Sequence, residues 1–302
     1  MKKIALASLF AAALFAVAPA VAEPAPAAAG AYLTEIEAAR AQRLTRLTAA
    51  DGWLTLIGLN FLQVGDNTIG SAKDNAIVFA KGPAHLGKVT LAADGRVNIA
   101  LAPDADARVD GRTVLAAELF YGEGKPTIVT VGTVSFFVID RGGKLALRVK
   151  DSESERRTHF LGLDYFPTDP AWRIEARWVA FDQPRELSIA NVLGQLSPAI
   201  VSGKAVFERG GKQYELLPIE DGDGGPLFFV ISDLTSGRGT YAAARFLYAE
   251  PPVDGKLVLD FNAAQNPPCA FTPFATCPLP PKENRLPFAV TAGEKEYRGG
   301  HD

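Results

Sequence analysis

Two periodicities divide the chain. Beginning at Tyr32, the apolar residues Leu33, Ile36, Leu44 and Leu47 recur at roughly helical spacing, with Arg40, Arg43 and Arg46 between them. That pattern predicts a helix over 31–50. Glu37 and Arg40, three residues apart, can support it, and Asp51-Gly52 supplies a stop. Beyond it the helical period vanishes. Short apolar runs alternate with turn signals, predicting strands at 76–79, 88–92, 96–101, 127–131, 134–139 and 145–149. Within "AADGRVNIAL", Asp94-Gly95 is a hairpin signal, because both residues tolerate positive φ.

A second β unit follows. In "WRIEARWVAF", Trp172, Ile174, Ala176 and Trp178 share one face while Arg173, Glu175 and Arg177 share the other, the mark of a half-buried strand. Further strands are predicted at 186–192, 204–208, 214–218, 227–232, 240–248 and 256–261. The polar stretch "DSESERRT" (151–158) reads as a solvated linker or a long hairpin tip between a β-sandwich over 51–152 and an antiparallel, barrel-like β domain over 153–298. Trp53 is expected to dock the leading helix on the first sandwich. The fold class is therefore all-β with one helix.

Lys2 and Lys3, the apolar run from Ile4 to Val17 and the small residues Ala20-Val21-Ala22 form a signal-peptide pattern over 1–22. The run is too short to cross a bilayer as a helix, and no later segment resembles a transmembrane span. Residues 23–30, "EPAPAAAG", read as a flexible leader. The expected location is the periplasm or the outside medium. The 302 residues, 48% apolar and 22% charged, suit two globular domains. The formal charge is −3, and loss of Lys2 and Lys3 makes it two units more negative, which argues against a nucleic-acid partner.

Chemistry-bearing residues gather late. "LDFNAAQNPPCAFTPFATCPLPPKENRL" holds Cys269 and Cys277, the only cysteines. In an exported protein the default is a disulfide, contributing about 2.5 kcal/mol by loop entropy. Two free thiols or a thiolate metal pair are the alternatives, although the spacing is not that of a zinc knuckle. No nucleophile elbow, zinc-protease helix or phosphate loop occurs, and His85, His159 and His301 define no metal site. No cofactor is predicted. The best polar set is Asp233, Arg245, Asp260, Asn262, Asn266 and Asn284.

One reading makes that set a small-ligand site at the end of the barrel, with Asp233 or Asp260 available as a base and Arg245 for an anion. The other is structural: Asp233 caps a turn, Arg245 pairs with Asp260, and Asn262 and Asn266 bind loop backbone. The leading functional expectation is an exported protein that binds a small molecule or an envelope component. The rivals are a carboxylate-dependent hydrolase or lyase and a purely structural interaction module.

Two resemblances add to this. "DGWLTLIGLNFLQVGDNTIGS", "LRVKDSES", "LFFVISDLTSGRGTY" and "LDFNAAQNPPCAF…TCPLPPKENRLPFAVTAGEK" resemble a bacterial family catalogued as domain of unknown function 1684. That resemblance implies no established activity. Residues 60–150, with "GDNTIGSAKDNAIVF", "RVDGRTV" and "VTVGTVSFFVID", look like a forkhead-associated domain, which implies a β-sandwich reading phosphothreonine. Ser71 follows Gly70 where such a domain carries arginine, and Pro83-Ala84-His85 stands at its serine turn. Without the guanidinium, bidentate phosphate recognition is lost, which speaks against phosphopeptide binding.

Overall fold

The computed structural model describes residues 26–219 and 225–300, so the predicted signal peptide lies outside the described residues. The protein is mostly β. Helix α1 (Pro26–Leu47) leads, starting within the stretch predicted as flexible. Strands β1 (Leu56–Phe61), β2 (Gly65–Gly70), β3 (Ile77–Val78), β4 (Gly87–Leu91), β5 (Val97–Leu101), β6 (Ala107–Val109), β7 (Ala116–Glu118), β8 (Val129–Val131), β9 (Val134–Asp140) and β10 (Leu145–Asp151) follow. They form two five-stranded sheets, ordered β1-β10-β9-β8-β6 and β3-β2-β4-β5-β7. Alternate residues of both sheets, including Ile69, Val89, Ile99, Phe136 and Leu147, meet in one apolar core, as facing sheets require.

The second unit contains β11 (Arg173–Ala190), β12 (Leu196–Arg209), β13 (Lys212–Leu216), β14 (Leu227–Ile231), β15 (Arg245–Ala249) and β16 (Lys256–Asp260). A curled, half-barrel sheet runs β13-β12-β11-β16, and β14 pairs with β15 beside it. Trp172, Phe207, Phe229, Leu247, Leu259 and Phe261 fill its interior. The predicted strands 172–181 and 186–192 are one strand, β11, whose pairing with β12 is interrupted only between Ala180 and Arg185. The prolonged strand predicted over 240–248 shrinks to β15, because Thr240 closes a tight turn on Thr235.

The polar stretch 151–158 is a bonded junction, not a solvated linker. Its Glu155–Thr158 segment forms one helical turn (α2). Ser154 Oγ donates to the Leu54 carbonyl at 2.6 Å, and Arg157 Nε donates to the Thr48 carbonyl at 2.8 Å. Helix α1 docks on the second unit, not on the first sandwich. Its packed face is Tyr32, Ile36, Arg40, Arg43 and Leu47, while Leu33 and Leu44 remain 42% exposed. Trp53 packs beside Cys269, Cys277 and Phe271, over the Arg148 guanidinium at 5.1 Å.

Candidate functional site

The predicted polar residues separate into distinct neighbourhoods. Asp233 and Arg245 meet in the interior, both side chains fully buried and 2.6 Å apart. Asp233 Oδ1 accepts from the Thr235 amide and hydroxyl and from the Val290 amide. Arg245 donates to the carbonyls of Ala292 (2.5 Å) and Val290 (3.1 Å). Burial pushes the Asp233 carboxyl up, but the Arg245 charge and the bonds from Val290 and Thr235 outweigh it and hold the pKa below the ordinary value. The two charges offset each other, with only Arg245 Nε left without a hydrogen-bond partner, and the pair clamps the turn after β14 to the segment 290–292.

Asn284 is equally committed. It accepts from the Leu217 amide and donates to the Leu217 and Val230 carbonyls, all at 2.8–3.0 Å. Cys269 and Cys277 are joined as a disulfide with Cα atoms 6.2 Å apart, closing the loop against Phe246 and Ala275.

Asp260 and Asn262 stand together under α1. Asp260 ends β16 opposite Arg173 of β11 and caps the turn Phe261–Ala263 through the Asn262 amide. Tyr32 of α1 donates its hydroxyl to this carboxylate, at 2.9 and 2.8 Å from the two oxygens, and accepts from Asn262 Nδ2 at 2.8 Å. Asn262 also holds both backbone polar groups of Asp169. Burial raises the Asp260 pKa, and the bonds from Tyr32 and Asn262 and the charge of Arg173 only partly offset it. Burial, then the Asp260 carboxylate, drives the Tyr32 hydroxyl up as well, so it stays a neutral donor.

This network borders a cavity of about 560 Å³. Ile36 and Ala39 of α1 form one wall. Leu257, Val258 and Tyr248 form another, and Asp260, Arg173 and Glu35 bring polar groups to it. A cavity of that volume with mostly apolar walls and a few placed polar groups has the proportions of a small-molecule site. Of the predicted set, Asp260 lines it and Asn262 lines its smaller neighbour. Asp233, Arg245 and Asn284 do not.

Asn266 is fixed through backbone contacts. Its amide donates to Glu294 Oε2 (2.7 Å), and its side chain donates to the Lys295 carbonyl. Glu294 was not singled out from the sequence, yet it is 1% exposed, accepts from Arg43 Nε at 2.9 Å and lines the smaller cavity. Gly293 makes this possible. At φ +78°, a Cβ there would lie 2.4 Å from the Ala264 carbonyl. Tyr32 and the arginines of α1 were also missed as site residues. Their signal was available in the spacing of Tyr32, Ile36, Arg40, Arg43 and Leu47, which puts them on one helical face. Among the described residues, no three of His, Cys, Asp and Glu cluster as metal ligands, and no helix is long and apolar enough to cross a membrane.

Fold and groove together define a two-unit β protein with a helix laid along a sheet, leaving an open groove between them. Residues 158–295 match a family described as protein of unknown function (DUF1684). An uncharacterized protein from Haloarcula marismortui, with a solution NMR structure, is 32% identical; the match covers 46% of this chain and 78% of that chain, with a TM-score of 0.39. Residues 158–295 thus carry that domain of unknown function. A comparison with curated proteins finds no match.

Proposed function

We propose that the protein binds a small ligand in the groove between α1 and the β11–β16 edge of the curled sheet, acting as an exported or envelope-associated binding protein. The observation that carries this reading is the 560 Å³ cavity with Asp260 at its wall, held in place by Tyr32 and Asn262. The amino-terminal signal pattern and the disulfide support an extracytoplasmic setting. Native mass spectrometry and a thermal-shift screen test it. Ala39 lines the groove from an exposed helix position, so Ala39→Trp fills the cavity without cutting a hydrogen bond. A stabilising ligand is expected on the native protein and none on this variant. A ligand that stabilises both equally refutes the site.

One observation favours a second reading. Asp260 borders the cavity and has a raised pKa, as a general base would. Asp233 has no such role, because it is sealed against Arg245. A hydrolase or lyase activity lost in folded Asp260→Asn protein would establish the enzymatic reading.

A further inference from the structure

Helix α1 gives the groove two ends of opposite charge. Ile36, Ala39, Tyr248 and Ala263 line both the large cavity and a second one of about 170 Å³. The smaller end is walled by Arg40, Arg43 and Arg46, against a single carboxylate, Glu294, among its lining residues. Glu294 is already matched by Arg43. Among the described residues, neither Arg40 nor Arg46 forms an ion pair. Arg40 stacks on the Tyr165 ring at 4.2 Å and donates to the Phe166 carbonyl at 3.3 Å, but its Nε has no partner. The Tyr165 hydroxyl has none either, and burial followed by the Glu294 charge keeps it protonated.

The larger end differs in kind. Its walls are Ile36, Leu257, Val258 and Pro251, and its charged residues are mostly acidic: Glu35, Glu175, Glu250 and Asp260 against Arg173 and Lys256. Lys256 is spent on Glu175 at 2.7 Å, and Arg173 faces Asp260 at 3.8 Å.

Resting on the reading of the groove as a ligand site, we infer that its ligand is an amphiphilic anion: a carboxylate head between Arg40 and Arg46, with an unbranched apolar tail along Ile36, Pro251 and Val258. Guanidinium groups pair with a carboxylate through parallel N–H bonds. The acidic rim repels the head from the wide end and so fixes the orientation. The tail gains by leaving water, roughly fourfold in affinity for each buried methylene.

Isothermal titration calorimetry of the full chain with hexanoate, octanoate, decanoate and decyltrimethylammonium decides the matter. Affinity is expected to rise roughly fourfold per methylene from hexanoate to decanoate. Decanoate binding should weaken at least about tenfold in Arg40→Met/Arg46→Met and disappear in Ala39→Trp, with helical circular dichroism of both variants unchanged. Equal or tighter binding of the ammonium amphiphile, absence of a chain-length trend, or full decanoate affinity in the arginine variant overturns the inference. If decanoate fails while a different ligand binds and is lost on Ala39→Trp, the amphiphilic anion is wrong and the groove stands. If Ala39→Trp changes no ligand's binding, both fall.

Discussion

Replacing Arg245 by methionine should be among the most damaging single changes in the second unit. The substitution keeps an unbranched apolar stem as far as the ε position and removes the guanidinium with its charge. Three contacts go with it: the 2.6 Å bond to Asp233 and the bonds to the Val290 and Ala292 carbonyls. Removing one partner of a buried ion pair costs about 3–5 kcal/mol, because the other charge stays buried. Asp233 keeps three donors, from the Thr235 amide and hydroxyl and the Val290 amide. The Arg245→Met loss therefore belongs near the lower bound, about 3 kcal/mol. Asp233→Asn leaves a guanidinium with only two neutral carbonyls and belongs nearer about 5 kcal/mol. The double variant removes both charges and should cost about 2 kcal/mol less than the two single losses combined.

Urea unfolding followed by fluorescence of Trp172 and Trp178 measures these values. Single losses below about 1 kcal/mol, or additivity within about 0.5 kcal/mol, refute the pair as a clamp. An independent check is its acid limb. The folded-state Asp233 pKa lies below the unfolded one. Its contribution is complete above the unfolded value of about 3.9 and disappears as pH falls through the folded value. Asp233→Asn removes that component of acid sensitivity.

Asp260 should show the opposite sign. Its folded pKa is raised, so its contribution to stability declines as pH rises from about 4 through the folded value; stability-versus-pH curves of Asp260→Asn should lack that decline. Tyr32→Phe removes a donor that lowers the Asp260 pKa, so carbon-13 NMR titration of that carboxyl should move further upward. Asn284→Ala orphans the Leu217 amide and two carbonyls and should cost roughly 3 kcal/mol in chemical unfolding; a neutral effect would reopen Asn284 as a ligand residue. Reduction of the Cys269–Cys277 bond should cost about 2.5 kcal/mol, read as a shift in the urea midpoint with and without reductant. Gly293→Ala forces a Cβ against the Ala264 carbonyl and should cost at least about 2 kcal/mol through clash and positive φ, lowering the melting temperature.

The β character, the leading helix and most strands were legible because pleated alternation repeats locally. Val97, Ile99 and Leu101 alternate with Asn98 and Ala100, and the structure buries the first three. The docked face of α1 was not legible from hydrophobicity. Its apolar stripe nominated Leu33 and Leu44, which stay 42% exposed, whereas Arg40 and Arg43 face the sheet. An arginine can pack its aliphatic stem on a protein surface while its head finds a carboxylate or carbonyl, and no hydropathy pattern registers that. The two strands merged into β11 illustrate a second limit. The polar residues around Asp182 and Gln183 separate the two strands predicted there, but they are only a gap in pairing on an otherwise continuous strand.

Candidate-site residues were harder for a reason of distance. On the sequence alone Arg245 is paired with Asp260, but the structure pairs it with Asp233, twelve residues away, because β14 and β15 are adjacent, and leaves Asp260 to Arg173 and Tyr32. Tyr32 reaches Asp260 across 228 positions, and Arg43 reaches Glu294 across 251. Neither carboxylate can be assigned a partner until the helix is placed, and nothing local in the helix says which sheet it covers. The same fact explains why the groove belongs to the assembled unit and not to any single motif. The sheet alone would leave Asp260 open to water and Glu294 without a counter-charge. Laying α1 across it supplies the counter-charge, the hydroxyl donor and the second wall in one step. A chain shortened before Arg46 should then lose the cavity and release Asp260 toward its ordinary pKa while the sandwich of the first unit stays folded, because that sandwich draws its core from its own two sheets.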